Sequence, residues 1–120
     1  WAKSKPVPGD FNGDGKDDLA VLYNGGQATD GKNVTLAFTF TSTGTAFNNP
    51  TTAWTSSGSF TWASSLVTAG DYTGDGRTDL GVLYEGGTTP DGRRLDSLFT
   101  FTSTGTALRA PVKQWSGSVV

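Results

Sequence analysis

The stretch Asp10-Phe11-Asn12-Gly13-Asp14-Gly15-Lys16-Asp17-Asp18-Leu19-Ala20-Val21-Leu22-Tyr23 decides the fold because it occurs twice. Its second copy, 61 residues further on, reads Asp71-Tyr72-Thr73-Gly74-Asp75-Gly76-Arg77-Thr78-Asp79-Leu80-Gly81-Val82-Leu83-Tyr84. Outward from this core, the same shift lays Trp1 on Trp62, Phe38 on Phe99, Pro50 on Pro111 and Trp54 on Trp115 without a gap, and roughly half of the aligned positions are identical. Self-similarity at a fixed period marks a stacked architecture in which each repeat is one supersecondary unit. The units are residues 1–61 and 62–120. A unit of this size makes a single sheet and cannot cover both of its own faces.

Within each unit the pattern predicts four short strands. Lys5-Pro6-Val7-Pro8, or Leu66-Val67-Thr68-Ala69, leads into the acidic loop, and Leu19–Tyr23 or Leu80–Tyr84 leaves it as an apolar run suited to burial on both faces. A polar loop carrying Gly25-Gly26 and Asp30-Gly31, or Gly86-Gly87 and Asp91-Gly92, then reaches a third strand around Leu36–Thr41 or Ser97–Thr102, where Phe and Thr alternate. Ser42-Thr43-Gly44-Thr45 and its mate at 103–106 reverse the chain into a fourth strand ending near Trp54 or Trp115. No segment has convincing helical periodicity. The expectation is an all-β chain of two four-stranded β-propeller blades.

The acidic loop has the chemistry of a hard-cation site. Counting from Asp10 or Asp71, positions 1, 3, 5 and 9 carry side-chain oxygen: Asp10, Asn12, Asp14 and Asp18, then Asp71, Thr73, Asp75 and Asp79. Calcium takes six to eight oxygens, and a loop turning on glycines can converge these positions, with the carbonyls of Lys16 and Arg77 added. Clustered carboxylates without a cation repel one another. The competing reading is a solvated acidic turn, and two matched copies at the same place in the repeat argue against it. Position 12, where an EF-hand needs a carboxylate, is Val21 or Val82, so helical calcium motifs are excluded. Two calcium ions per chain are expected, with Thr73 the poorer ligand than Asn12.

The run GDFNGDGKDDLAVLY at 9–23 with FTSTGT at 40–45 resembles the FG-GAP/VCBS repeats of bacterial secreted proteins and integrin α-chain heads. That resemblance covers essentially the whole chain. It implies a β-propeller with calcium in the loop between the first and second strands of each blade. It carries the ligand roles onto Asp10, Asn12, Asp14, the Lys16 carbonyl and Asp18, and onto Asp71, Asp75, the Arg77 carbonyl and Asp79, with Thr73 as the departure. Activity does not follow from the fold.

Two blades do not close a propeller, which takes four to eight. The chain is therefore either an excised part of a longer array or a subunit of a cyclic homo-oligomer, three chains giving six blades and four giving eight. The trimer is the first expectation and the tetramer the second. Val120 aligns with Ser59, so a neighbouring chain would continue the repeat with two positions missing before its Trp1.

Composition narrows the function. The chain has no Cys, Met or His, which removes thiol nucleophiles, imidazole bases and the usual zinc and haem ligands, and most acidic residues are committed to the loops. The expectation is a protein that is not an enzyme. Asp30 and Asp91 form a possible carboxylate pair after assembly, although Asp-Gly is also a turn signal. A net charge of -2 with no basic stripe argues against nucleic acid, and no apolar run approaches a membrane span. The chain begins at Trp1 rather than Met, so any signal peptide has been removed or the sequence trimmed; a secreted, extracellular protein is expected.

Two binding readings remain, the first expectation being a calcium-stabilised, multivalent carbohydrate-binding module and the alternative a non-catalytic scaffold. A multivalent lectin would stack a glycan on Trp1, Trp54, Trp62 and Trp115 in clefts between blades, with Trp54 and Trp62 in one cleft and polar groups from 24–33 and 85–94. In the other reading those indoles pack between blades and the chain is a structural or protein-adhesion scaffold.

Overall fold

The computed structural model describes residues 2–57 and 60–118; within them the chain is all-β apart from one 3-10 turn at Trp62–Ser64. The strands are β1 (Ser4–Gly9), β2 (Asp18–Gln27), β3 (Asn33–Phe40), β4 (Thr51–Ser57), β5 (Ser65–Gly70), β6 (Asp79–Thr88), β7 (Arg94–Phe101) and β8 (Val112–Gly117). They form two four-stranded antiparallel meanders, β1-β2-β3-β4 and β5-β6-β7-β8, with the acidic loops joining β1 to β2 and β5 to β6. Registers match between the sheets: Val7 pairs with Ala20 as Thr68 with Gly81, and Ala37 with Trp54 as Leu98 with Trp115.

The second strands run further than the sequence pattern predicts. β2 continues through Gly25-Gly26 and β6 through Gly86-Gly87, each with a bulge before the ladder resumes at Gln27–Asn33 or Thr88–Arg94. Gly26 absorbs the extra residue at φ 81°, a left-handed conformation open mainly to glycine, and its N–H is held by the Asn24 side chain at 3.0 Å. β4 and β8 likewise extend past Trp54 and Trp115 instead of stopping there.

Strand alternation gives each sheet two apolar faces, and the sheets use opposite ones to meet. The first sheet offers its forward face, toward the second repeat: Val7, Ala20, Leu22 and Ala37, all buried. The second sheet receives them on its rear face, where Leu80, Val82 and Phe101 are fully buried. Trp54 stands edge-on to Phe101 at 4.8 Å and to Phe60 at 5.8 Å, the T-shaped geometry favoured by ring quadrupoles.

Polar contacts fix how the sheets seat. The Trp62 indole N–H donates to the Leu22 carbonyl (2.9 Å), the Leu108 N–H to that of Ala53 (3.1 Å), and the Thr78 N–H to that of Asp10 (2.8 Å). Lys5 donates to the Trp62 carbonyl at 2.7 Å with its ammonium 4.0 Å from the Trp62 ring centroid, and burial pushes its pKa down. Beside Gly9 the sheets come so close that an added methyl would lie 2.4 Å from Thr78 Cγ2, so glycine is required.

Phe101 sits where both repeats meet, so Phe101→Ala is expected to cost about 3–5 kcal/mol, the usual toll of emptying a packed aromatic site. Denaturant unfolding against the parent chain measures it, and a loss under about 1 kcal/mol would mean the two sheets do not share a core.

Candidate metal centre

Each acidic loop folds around its first aspartate. In the first loop, Asp10 Oδ1 accepts the N–H of Gly13 at 2.8 Å and of Asp14 at 3.1 Å, and Oδ2 accepts that of Gly15 at 2.8 Å. Asp71 takes Gly74, Asp75 and Gly76 at 2.8, 3.1 and 2.8 Å. The chain can wrap so tightly because Gly13 and Gly15, like Gly74 and Gly76, hold φ between 75° and 86°.

The ninth position anchors the loop from below. Asp18 is buried; one of its oxygens accepts the Phe11 N–H at 3.1 Å and the other the Ser42 N–H at 2.8 Å. Asp79 is buried in the same way, between the N–H groups of Tyr72 at 3.1 Å and Ser103 at 2.8 Å. The Ser-Thr-Gly-Thr segments, read from sequence only as turns, thus also hold the acidic loops in place. A signal was present: the separation from Asp18 to Ser42 is 24 residues, the same as from Asp79 to Ser103.

The fifth-position carboxylates are exposed and paired with cations of their own loops. Asp14 lies 3.6 Å from the Lys16 ammonium and Asp75 3.0 Å from the Arg77 guanidinium. Donation from the backbone N–H of Lys16 holds Asp14 below the usual carboxylate pKa, and that of Arg77 does the same for Asp75. A carboxylate lowered in the folded state adds stability above its unfolded pKa and loses it as pH falls through the folded value.

In the second loop one oxygen each from Asp71, Asp75 and Asp79 lies within 4.8 Å of the others, the one such cluster among the described residues. The Thr73 hydroxyl reaches Asp79 at 3.3 Å and Asp71 at 3.4 Å, between two of these carboxylates. Its counterpart Asn12 instead donates from its amide to Asp14 at 3.4 Å. An all-oxygen donor set, three convergent carboxylates and a loop already ordered by its backbone fit a hard divalent cation.

The tryptophans divide. Trp54 and Trp62 are half-buried in the contact between sheets, Trp115 is exposed on the far face of the second sheet, and Trp1 lies outside the described residues. Trp54 borders a groove with Thr55, Tyr84, Phe99 and Pro111, but neither Trp62 nor the 24–33 and 85–94 segments line it, so the cleft expected to bring them together with Trp54 is not formed there. Asp30 and Asp91 cap their own turns, Asp30 accepting the Lys32 N–H at 3.0 Å and Asp91 pairing with Arg93 at 3.4 Å.

Two four-stranded meanders stacked face to face, each with an acidic loop between its first and second strands, define a propeller-blade type of repeat protein. The FG-GAP-like repeat model matches residues 8–82, from the end of β1 into β6, and the chain belongs to that family. A comparison with curated proteins finds no significant match.

The anchoring carboxylate can be tested apart from any metal. With chelator present, Asp18→Ala strands two backbone N–H groups and is expected to cost about 1–3 kcal/mol for each left unpaired. Asp17→Ala, at an exposed neighbouring position, is expected to stay within about 0.5 kcal/mol of the parent. Thermal melts of both variants in chelator measure the difference, and equal melting would remove the anchoring role.

Proposed function

We propose that the chain is a calcium-pinned propeller-blade module that works by binding rather than by catalysis, in an extracellular setting. The observation that carries this reading is the convergence of Asp71, Asp75 and Asp79 within 4.8 Å, in a loop whose twin repeats its hydrogen bonds. Asp10, Asn12, Asp14, Asp18 and the Lys16 carbonyl would hold one ion, and Asp71, Thr73, Asp75, Asp79 and the Arg77 carbonyl the other. Bound calcium would neutralise the carboxylate repulsion and cross-link each loop to the start of its second strand. Extracellular calcium modules work at dissociation constants of about 10⁻⁴–10⁻³ M, within reach of exposed loops like these.

Two ions per chain are expected in a calorimetric titration. Each site adds about 2.7 kcal/mol at a hundredfold excess over its dissociation constant, so the melting temperature rises with calcium and falls with chelator. Asp14→Ala is expected to weaken one site, whereas Asp17→Ala leaves both intact. A melting curve indifferent to calcium would overturn the structural role of the metal.

Carbohydrate binding is the second reading, favoured by one feature: the groove between sheets is bordered by the Trp54 indole beside Thr55 and Ser56. Against it, Trp54 and Trp62 already have packing partners. A glycan panel in calcium tests it at Trp54→Ala and Trp115→Ala, both checked for folding. Unchanged binding in both variants, or no binding by the parent, would leave the scaffold reading alone.

A further inference from the structure

We infer that the exposed rear face of the first sheet is a docking surface for the exposed forward face of the second sheet in another copy of this chain. The inference rests on the blade-module reading and names its partner.

The contact is already built once inside the chain, and the repeat shows what each outer face lacks. Leu80, Val82 and Phe101 are fully buried on the rear face of the second sheet. Their mates Leu19, Val21 and Phe40 carry the same side chains on the rear face of the first sheet, where they line an open apolar groove with Tyr23 and Phe38. The edges follow the same rule. Leu108 is 5% exposed and its mate Phe47 59%; Phe11 is 4% exposed and its mate Tyr72 52%. Trp54, edge-on to Phe101, has as its mate Trp115, 42% exposed on the opposite outer face.

The two outer faces are therefore the two halves of one interface, separated onto opposite sides of the chain. Placed together between copies, they set Trp115 of one copy against Phe40 of the next, as Trp54 meets Phe101 within a chain. At one polar position the outer face differs from the internal one and calls for a donor from the facing copy. Thr35 donates across the internal interface to the Phe60 carbonyl at 3.3 Å, while its mate Asp96 is buried with Oδ2 unpartnered among the described residues. Because the halves differ, the contact is head-to-tail, and it propagates into a ring or an open stack according to the rotation per chain.

The test is mass by sedimentation or light scattering over a concentration series in calcium, with melting in calcium and in chelator read on the same samples. The parent is expected at multiples of 12.5 kDa. Phe40→Glu removes the rear half and Trp115→Glu the forward half, so each variant alone is expected at 12.5 kDa. An equimolar mixture, having one intact half of each kind, is expected to form a 1:1 pair of about twice that mass and no more. If Phe40→Glu fails to fold, Phe47→Asp, at a more exposed edge of the same face, takes its place.

A parent that stays at 12.5 kDa throughout overturns the inference, as does assembly that survives in both variants. Self-pairing of Trp115→Glu alone would also overturn it, because that requires rear face to meet rear face. A monomeric parent that calcium still stabilises would sink the docking while leaving the metal reading standing.

Discussion

A four-stranded sheet has two faces, and when both carry leucine, valine and phenylalanine neither is satisfied by water. This constraint governs the molecule. One repeat alone would expose both faces; two repeats cover one face of each and leave the other pair open. The internal core is thus an interface between units, assembled from positions that do not correspond in the repeat: Ala20 and Leu22 from one unit, Leu80 and Val82 from the other. Identical sequence at corresponding positions leads to unequal burial because what covers a position is the neighbouring unit.

The acidic loops and this interface are mechanically continuous. The Asp10 carbonyl is gripped by the Thr78 N–H of the second loop, and the Phe11 carbonyl by the Ser103 hydroxyl from the turn of the second sheet. Asp79 in turn accepts the Ser103 N–H, so one buried carboxylate positions the turn that reaches across to the first loop. Whatever orders the loops therefore also orders the joint between repeats. This explains how ligands displayed on exposed turns can bear on a core that lies between the sheets.

The repeat, the strand order and the loop were legible because they rest on local pattern: apolar runs, glycine turns and acidic residues at fixed spacing. The strand ends were less legible. Asn24-Gly25-Gly26 reads as a loop, yet Gly26 makes a bulge that lets β2 continue to Gln27, because cross-strand pairing with Asn33 outweighs the local turn signal. The tryptophans were ambiguous for another reason. Whether an indole binds a ligand or packs depends on the neighbouring sheet, and only the fold brings Trp62 to the Leu22 carbonyl and Trp54 to Phe101. Lys5 reads in the sequence only as part of a strand, since its partners, the Trp62 ring and carbonyl, lie across the repeat junction.

The two faces also differ in how closely the repeats copy one another. On the rear face the central pairs Leu19 and Leu80, Val21 and Val82, Tyr23 and Tyr84, Phe38 and Phe99, and Phe40 and Phe101 are identical, while Pro6, Pro8 and Leu36 become Val67, Ala69 and Ser97. On the forward face Ala20 becomes Gly81, Ala37 becomes Leu98 and Lys5 becomes Leu66. These exchanges are coupled: a methyl added at Gly81 would lie 3.1 Å from the Tyr72 ring, so the loss at one position admits the larger aromatic that replaces Phe11. The second forward face is a differently shaped mould, with an exposed Leu66 where the first has the ammonium of Lys5 seated on Trp62. The shared apolar centre of the rear face can meet either mould, but the joint within the chain and the joint between copies would not be the same. The first is held by covalent continuity and by the Lys5 and Trp62 contacts, whereas the second depends on apolar shape alone at that position.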